Sequence, residues 1–297
     1  MKNKHFCLLW ASVCAGMLLS VASCEKILPT ESDDSEGGAV PNVVLRVSQF
    51  ESVPFNSRTR SNLDEVCTKL CFDIYDEEGQ KVKYINQKLG DTQFGEASLS
   101  LPEGDYHLVV IAHSSAKNPS FATKEMKVTA SGTLSELFWA YEPLHVADGN
   151  VNKNVILQRI VSMVRFLPDD EMPEEANELL VKYTGSKGTF SGMTGYGTTR
   201  SSQSIVVDVS PDDDDMSFYM VPRKERDTLV NVSVISRYND GSSATQFSEI
   251  KIDSIPVRRN CITLCRGSLF NGKTSSGGSV ITIDINKSWG ETLDVKF

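Results

Sequence analysis

Beyond Pro41 the chain alternates apolar and polar residues in short runs, the period-two signature of half-buried strands. Val43-Val44-Leu45-Arg46-Val47 is the first such run, and residues 70–75, 97–101 and 105–113 follow. Turn-forming clusters separate these and later runs: Asp76-Glu77-Glu78-Gly79, Leu101-Pro102-Glu103-Gly104 and Asn239-Asp240-Gly241. Further strands are expected over residues 124–128, 155–166, 179–183, 205–209, 216–221 and 229–235. Residues 247–252, 260–265, 280–285 and 292–297 complete the series. No window carries a long, capped helical period, and the best helical candidate, Pro173-Glu174-Glu175-Ala176-Asn177, is a single turn. Regular strand spacing with Gly and Pro punctuation indicates an all-β chain of β-sandwiches. The run 154–167 is longer than an ordinary strand and polar at Gln158-Arg159. One sandwich is therefore expected to end near Arg159 and a second to start at Ile160, giving domains over 42–159 and 160–297.

The first residues follow a different pattern. Lys2 and Lys4 precede an apolar stretch over 6–19, broken only by Ser12 and Gly16, and Val21-Ala22-Ser23-Cys24 follows. The stretch is too short to span a bilayer and ends in small residues, as a secretory signal peptide does. An aliphatic residue, two small residues and Cys resembles the lipobox of bacterial lipoproteins. That resemblance implies cleavage after residue 23 and acylation of Cys24, with palmitate among the chains. Several acyl chains at about 0.8 kcal/mol per buried CH₂ would hold the protein on a membrane almost permanently. Residues 24–41 then form a lipidated Cys and an acidic tether, with Glu31-Ser32-Asp33-Asp34-Ser35-Glu36-Gly37-Gly38 offering nothing to bury. The Ser-Asp-Asp-Ser-Glu run also resembles acidic export signals of surface-exposed lipoproteins of Bacteroidetes.

Composition narrows the function. The 297 residues are 40% hydrophobic and 23% charged, enough for two real cores after processing. A formal net charge of −9 argues against nucleic acid and against adsorption to anionic lipid, so membrane attachment falls to Cys24. Cys7 and Cys14 leave with the signal. Cys67, Cys71, Cys261 and Cys265 form two C-x-x-x-C pairs in strand-like text. Four residues along a strand is roughly 13 Å, too far for one metal or one disulfide. Free thiols acting as small apolar residues, or a disulfide pairing one segment with the other, are the two readings.

Catalytic chemistry finds little to work with. His107, His113 and His145 are the only histidines beyond the signal, and no G-x-S-x-G or H-E-x-x-H occurs. Asp212-Asp213-Asp214-Asp215 lacks the spaced ligands and central Gly of a calcium loop and reads as solvated chain. The glycines between Gly185 and Gly197 lack a phosphate-binding spacing and read as a loop or irregular edge strand. Neither a catalytic set, a metal site nor a cofactor is expected. Phe138-Trp139-Ala140-Tyr141 is either an exposed aromatic platform for a glycan or, more in keeping with burial, a hydrophobic plug between domains.

Two segments carry mechanical interest. In the last residues Leu293, Val295 and Phe297 share one side of a strand, which can close its own sheet or leave to complete a neighbour's. Arg58 and Arg60 follow the first strand in polar text. They form either a soluble loop or a protease-sensitive one whose cleavage would release that strand.

Taken in order after the lipobox, these landmarks resemble the FimB-type fimbrial anchor subunits of Bacteroidetes. Residues 70–79, the 101–110 hairpin segment, Asn154-Val155-Ile156-Leu157-Gln158-Arg159 with Met163-Val164-Arg165-Phe166, and Val257-Arg258-Arg259-Asn260 with Thr263 and Gly267 carry the likeness. The resemblance implies two tandem transthyretin-like Greek-key β-sandwich domains. It also implies a non-enzymatic lipoprotein at the outer membrane, displayed on the cell surface, that holds the base of a fimbrium, limits its length and contacts its stalk subunits. Stalk subunits of such systems exchange strands after a first strand is removed, whereas an anchor keeps its own. A polymerising or tip subunit and a surface glycan-binding lipoprotein are the alternatives.

Overall fold

A computed structural model describes residues 40–51, 63–122, 126–185, 188–210, 216–224, 228–270, 283–284 and 291–296. Among the described residues the chain is all-β apart from one helical turn. In the first half it runs β1 (Val43–Glu51), α1 (Leu63–Val66), β2 (Lys69–Asp76), β3 (Lys81–Lys88), β4 (Glu96–Leu99) and β5 (Gly104–His113). Then come β6 (Ser120–Ala122), β7 (Lys127–Thr129), β8 (Leu137–Val146) and β9 (Val151–Arg159). The second half opens with β10 (Ser162–Pro168), β11 (Glu178–Gly185), β12 (Thr189–Ser191), β13 (Ser201–Asp208) and β14 (Met216–Met220). It closes with β15 (Thr228–Asn239), β16 (Ala244–Val257), β17 (Cys261–Gly267), β18 (Ile283–Asp284) and β19 (Glu291–Lys296). Pro173-Glu174-Glu175-Ala176, expected to be helical, makes only a turn, closed by Ala176 N donating to Pro173 O at 2.9 Å.

Strands β1 to β9, excepting β6 and β7, form one seven-stranded sheet in the order β3-β2-β5-β8-β9-β1-β4. Its two edge strands are consecutive in sequence, and the sheet rolls until they meet. Gln87 on β3 donates to Gln93 O and Glu96 O and accepts from Gly95 N, joining one edge to the other. Inside the roll Leu45, Leu70, Phe72, Leu108, Val110 and Leu157 are fully buried. Residues 162–296 supply a five-stranded sheet, β14-β10-β17-β19-β18, facing a four-stranded one, β13-β11-β15-β16. Phe166, Leu179, Val181, Val234 and Ile255 fill the space between them. The pairing pattern repeats: β1 lies parallel to β9 and antiparallel to β4, as β10 lies parallel to β17 and antiparallel to β14.

A third core joins the two halves. Strands β2, β5 and β8 are buried on both faces, so their outer residues Cys71, Tyr75, Val109, Ile111, Leu137 and Trp139 need a second cover. Part of it is the small sheet β12-β7-β6, in which β12 crosses from the second half to pair with β7. The rest is Ile160, Val161, Val221 and Ile262. The glycines of 188–195 permit this approach. A Cβ on Gly192 would lie 2.5 Å from Met126 O. Gly195 has φ +67, and a Cβ there would meet the Trp139 ring and the Arg259 guanidinium at 3.0 Å. The stretch read as a loop or irregular edge strand is therefore a short edge strand followed by a tight clasp. Residues 40–297 accordingly behave as one compact unit.

Phe190 of β12 is fully buried in this shared core. Phe190→Ala is expected to cost about 3–5 kcal/mol of global stability, the usual price of emptying a buried aromatic site. Urea unfolding followed by tryptophan fluorescence and by far-UV circular dichroism should show a lower midpoint with the two signals still coincident. A midpoint unchanged from wild type would contradict the shared-core assignment.

Candidate functional site

No reactive cluster emerges from the described residues, and none of their His, Cys, Asp and Glu side chains gather in threes where a metal would sit. The histidines are dispersed into separate contacts. His107 Nδ1 is 2.8 Å from the Tyr141 hydroxyl, and His145 Nδ1 is 2.6 Å from Asp105 Oδ1 at an exposed position. His113 is buried with Nε2 4.0 Å from Cys71 Sγ. Cys67, Cys71, Cys261 and Cys265 are all buried free thiols, so the cross-paired disulfide does not form. Burial pushes the Cys67 thiol up to about 12 and raises Cys71 further, which removes nucleophilic thiolate at neutral pH.

Phe138, Trp139 and Ala140 of the aromatic patch are interior, and Tyr141 is half-buried. Trp139 is 9% exposed, and its Nε1 donates to Gly192 O at 2.7 Å. It plugs the junction and offers no platform to a sugar. Around it lies a set of contacts that strand periodicity does not reveal. Arg259 sits 3.9 Å from the Tyr196 ring centre and 5.6 Å from that of Trp139, and donates to Thr194 O. Arg159 donates to Asn260 Oδ1 and Glu136 Oε2 and lies over the Phe138 ring. Asn260 holds φ +56, a left-handed turn conformation that Asn tolerates well. The 257–260 motif is thus the turn between β16 and β17 that locks one half against the other.

The first and last described strands are both built into sheets. Strand β1 is an integral member of its sheet, with continuous parallel register to β9 from Val43↔Val151 to Glu51↔Gln158, interrupted by one bulge, and antiparallel register to β4. Val43 and Leu45 are fully buried, and Asn42 clamps Leu101 through both ends of its amide. At the other terminus β19, which holds Leu293 and Val295, lies between β17 and β18, parallel to the first and antiparallel to the second. Phe297, Arg58, Arg60, Cys24 and Asp212-Asp213-Asp214-Asp215 lie outside the described residues.

Among the described residues the body is all-β apart from one helical turn, its first and last strands are members of its own sheets, its thiols are buried and its histidines are dispersed. The chain belongs to the family of fimbrillin-A associated anchor proteins Mfa1 and Mfa2, whose family model matches residues 41–295. It is therefore a fimbrium-associated structural protein, of a family of anchors rather than of enzymes. Among solved structures it is similar to the fimbrial anchor protein Mfa2 from Porphyromonas gingivalis, at 13% identity and a TM-score of 0.42, over 72% of this chain and 82% of that one. A candidate adhesin from Bacteroides ovatus matches at 11% identity and a TM-score of 0.49, over 71% and 76%. A candidate cell adhesion protein from Bacteroides eggerthii matches at 10% identity and 0.42, over 88% and 99%. No curated protein matches the chain.

Two buried titratable groups, Asp73 on β2 and His113 on the neighbouring β5, give the molecule a testable pH signature. Asp73, 2% exposed, has its carboxyl pushed up to about 6 by burial, against the opposing charge of Lys81 2.8 Å away. His113 is pushed down to about 4 by burial and by the charge of Lys69. Folded His113 binds its proton less tightly than the unfolded chain, so its stability is full above about pH 6.5 and is lost as pH falls toward 4. Folded Asp73 binds its proton more tightly, so its contribution is full below about 3.8 and is lost as pH rises through about 6. Each effect is worth about 3 kcal/mol, and over this window they oppose. Relative to wild type, His113→Gln is expected to gain stability on acidification from pH 7 to 4.5, and Asp73→Asn to lose it. Urea midpoints at the two pH values measure both, and parallel shifts in the two variants would refute the assignment.

Proposed function

We propose that this protein anchors a fimbrium to the outer membrane through an acylated Cys24, and that its retained first strand passes the load from the lipid into the fold. The observation carrying this reading is the seat of β1, paired on both sides and buried at Val43 and Leu45. A stalk subunit that must shed its first strand would have to give up the whole of that pairing. Family membership supports the association with fimbrial subunits. The acidic segment 25–41 serves as the spacer, and 42–159 and 160–297 are the two sandwich domains, which their repeated pairing pattern supports. The strand holding Leu293, Val295 and Phe297 is the contact offered to a stalk subunit, and capping the base limits fibre length.

Cys24→Ala is expected to move the protein and its fibres from the outer-membrane fraction into the medium, read by fractionation and electron microscopy. Retention of both on the cell would reject the tether. The mature protein's N-terminus separates anchor from polymerising subunit. Mass spectrometry should find acylated Cys24 at the start of the surface form. A chain beginning just after Arg58 or Arg60 would instead identify a subunit that gives up β1.

A further inference from the structure

One end of the four-stranded sheet carries an open groove of about 750 Å³ that neither the tether nor the terminal strands explain. Tyr238 and Phe247 line it at 39% and 37% exposure, over Val209. Phe247 is the extra residue of a β-bulge: Ser236 pairs Ser248 and Arg237 pairs Gln246, which leaves Phe247 without a partner. Bulges re-aim side chains, and this one stands a ring beside the groove. Elsewhere along β16 the apolar residues Ile250, Ile252 and Ile255 are buried, so an exposed ring here departs from the strand's own pattern.

The polar groups of the groove decide what suits it. Asn177 is spent, its amide donating to Asn239 O and accepting from Asn239 N. Glu174 and Glu175 are both exposed at the rim, and no Lys or Arg is among the described lining residues. Arg237, the nearest guanidinium along β15, is committed to Glu178. Apart from neutral hydroxyls, the committed Asn177 amide and backbone, the described lining offers negative acceptors beside aromatic faces and no cation. Anionic ligands are rejected, and a guanidinium is matched twice: planar donors for the carboxylates and a cation for the ring faces.

We infer that this groove docks an extended, arginine-bearing peptide segment, which on the fimbrial reading belongs to the adjoining subunit. Two exposed rings hold the stem and guanidinium plane while Glu174 and Glu175 receive its N–H groups. The inference rests on that reading for the identity of the partner only; the chemistry of the groove stands without it.

The test uses the full mature chain and the probe acetyl-Gly-Arg-Gly-Arg-Gly-amide, titrated calorimetrically at low salt, with the Glu-for-Arg peptide and maltohexaose as comparisons. The Arg peptide should bind and the Glu peptide should not. Glu174→Gln with Glu175→Gln should weaken binding about ten-fold or more, as should Tyr238→Ala with Phe247→Ala. The charge-matched pair Glu77→Gln with Glu78→Gln, in an exposed turn elsewhere, should leave it within about two-fold. Urea midpoints verify that every variant is folded. Equal loss in both glutamate pairs reduces the effect to net charge and overturns the proposal. So does equal binding of the Arg and Glu peptides, or binding of maltohexaose in place of the peptide. Failure here leaves the Cys24→Ala fractionation result untouched, and failure there leaves peptide binding intact, so the two claims fall separately.

Discussion

The dry outer face of β2, β5 and β8 is the constraint on which the rest of the molecule depends. Left open, Cys71, Tyr75, Val109, Ile111, Leu137 and Trp139 would form a contiguous apolar patch on the first half. Each large side chain covered there is worth about 1.5–3 kcal/mol, so covering the face is a substantial share of a domain's net stability. The cover comes from β12 and from Val221 and Ile262 of the second half. The connector itself is part of it. Ile160 and Val161 are fully buried, Ile160 N donates to Leu137 O, and Val161 O accepts from Asn260 N. A connector bonded to both sides is not a hinge. What joins the halves is a core, and a core resists bending in a way that a polar domain interface does not.

The all-β class was legible because it rests on local pattern, alternation and turn residues; the break in the long run was legible only approximately, since Gln158 and Arg159 end β9 and the gap falls on Ile160 and Val161. Strand β8 was not, although it is central. Its text opens on the apolar run Leu137-Phe138-Trp139-Ala140-Tyr141 and is followed by Glu142-Pro143, and proline argues against a central strand. The structure tolerates it because β9 pairs with β8 only at Phe138 and Trp139, which leaves one side of the strand unpaired by Pro143. Continuous apolar text also signals burial on both faces, which β8 has over Leu137–Ala140. Strand β3 was missed for the opposite reason, being mostly half-exposed, and β12, three residues long, was legible only as a loop or irregular edge strand.

The junction contacts lay further from reach. Nothing in Arg259 as a letter says that it stacks on Tyr196, or that Gly195 is a glycine because Trp139 occupies the space of its Cβ. These are properties of the approach between segments distant in sequence. The glycine-rich stretch did flag an unusual backbone, and its meaning needed the partner. The same holds for the β2 row. Strand geometry puts Cys71, Asp73 and Tyr75 on one side of β2, and the second cover turns that side into an interior, where ionisation becomes costly.

Strand β1 draws these points together. Whatever pulls on the segment before Val40 pulls first on β1. In a ladder the hydrogen bonds lie across the strands, so a pull along β1 shears its bonds to β9 and β4 together instead of opening them one at a time. From β9 the load passes through Arg159 to Asn260, and through Ile160 and Val161 into the shared core. The second half receives it without a flexible step between. A subunit designed to lose its first strand would place its strength elsewhere. Strand β1 is held along its length by β9 and over Val43–Arg46 by β4, so a load applied ahead of it enters the fold through the parallel ladder.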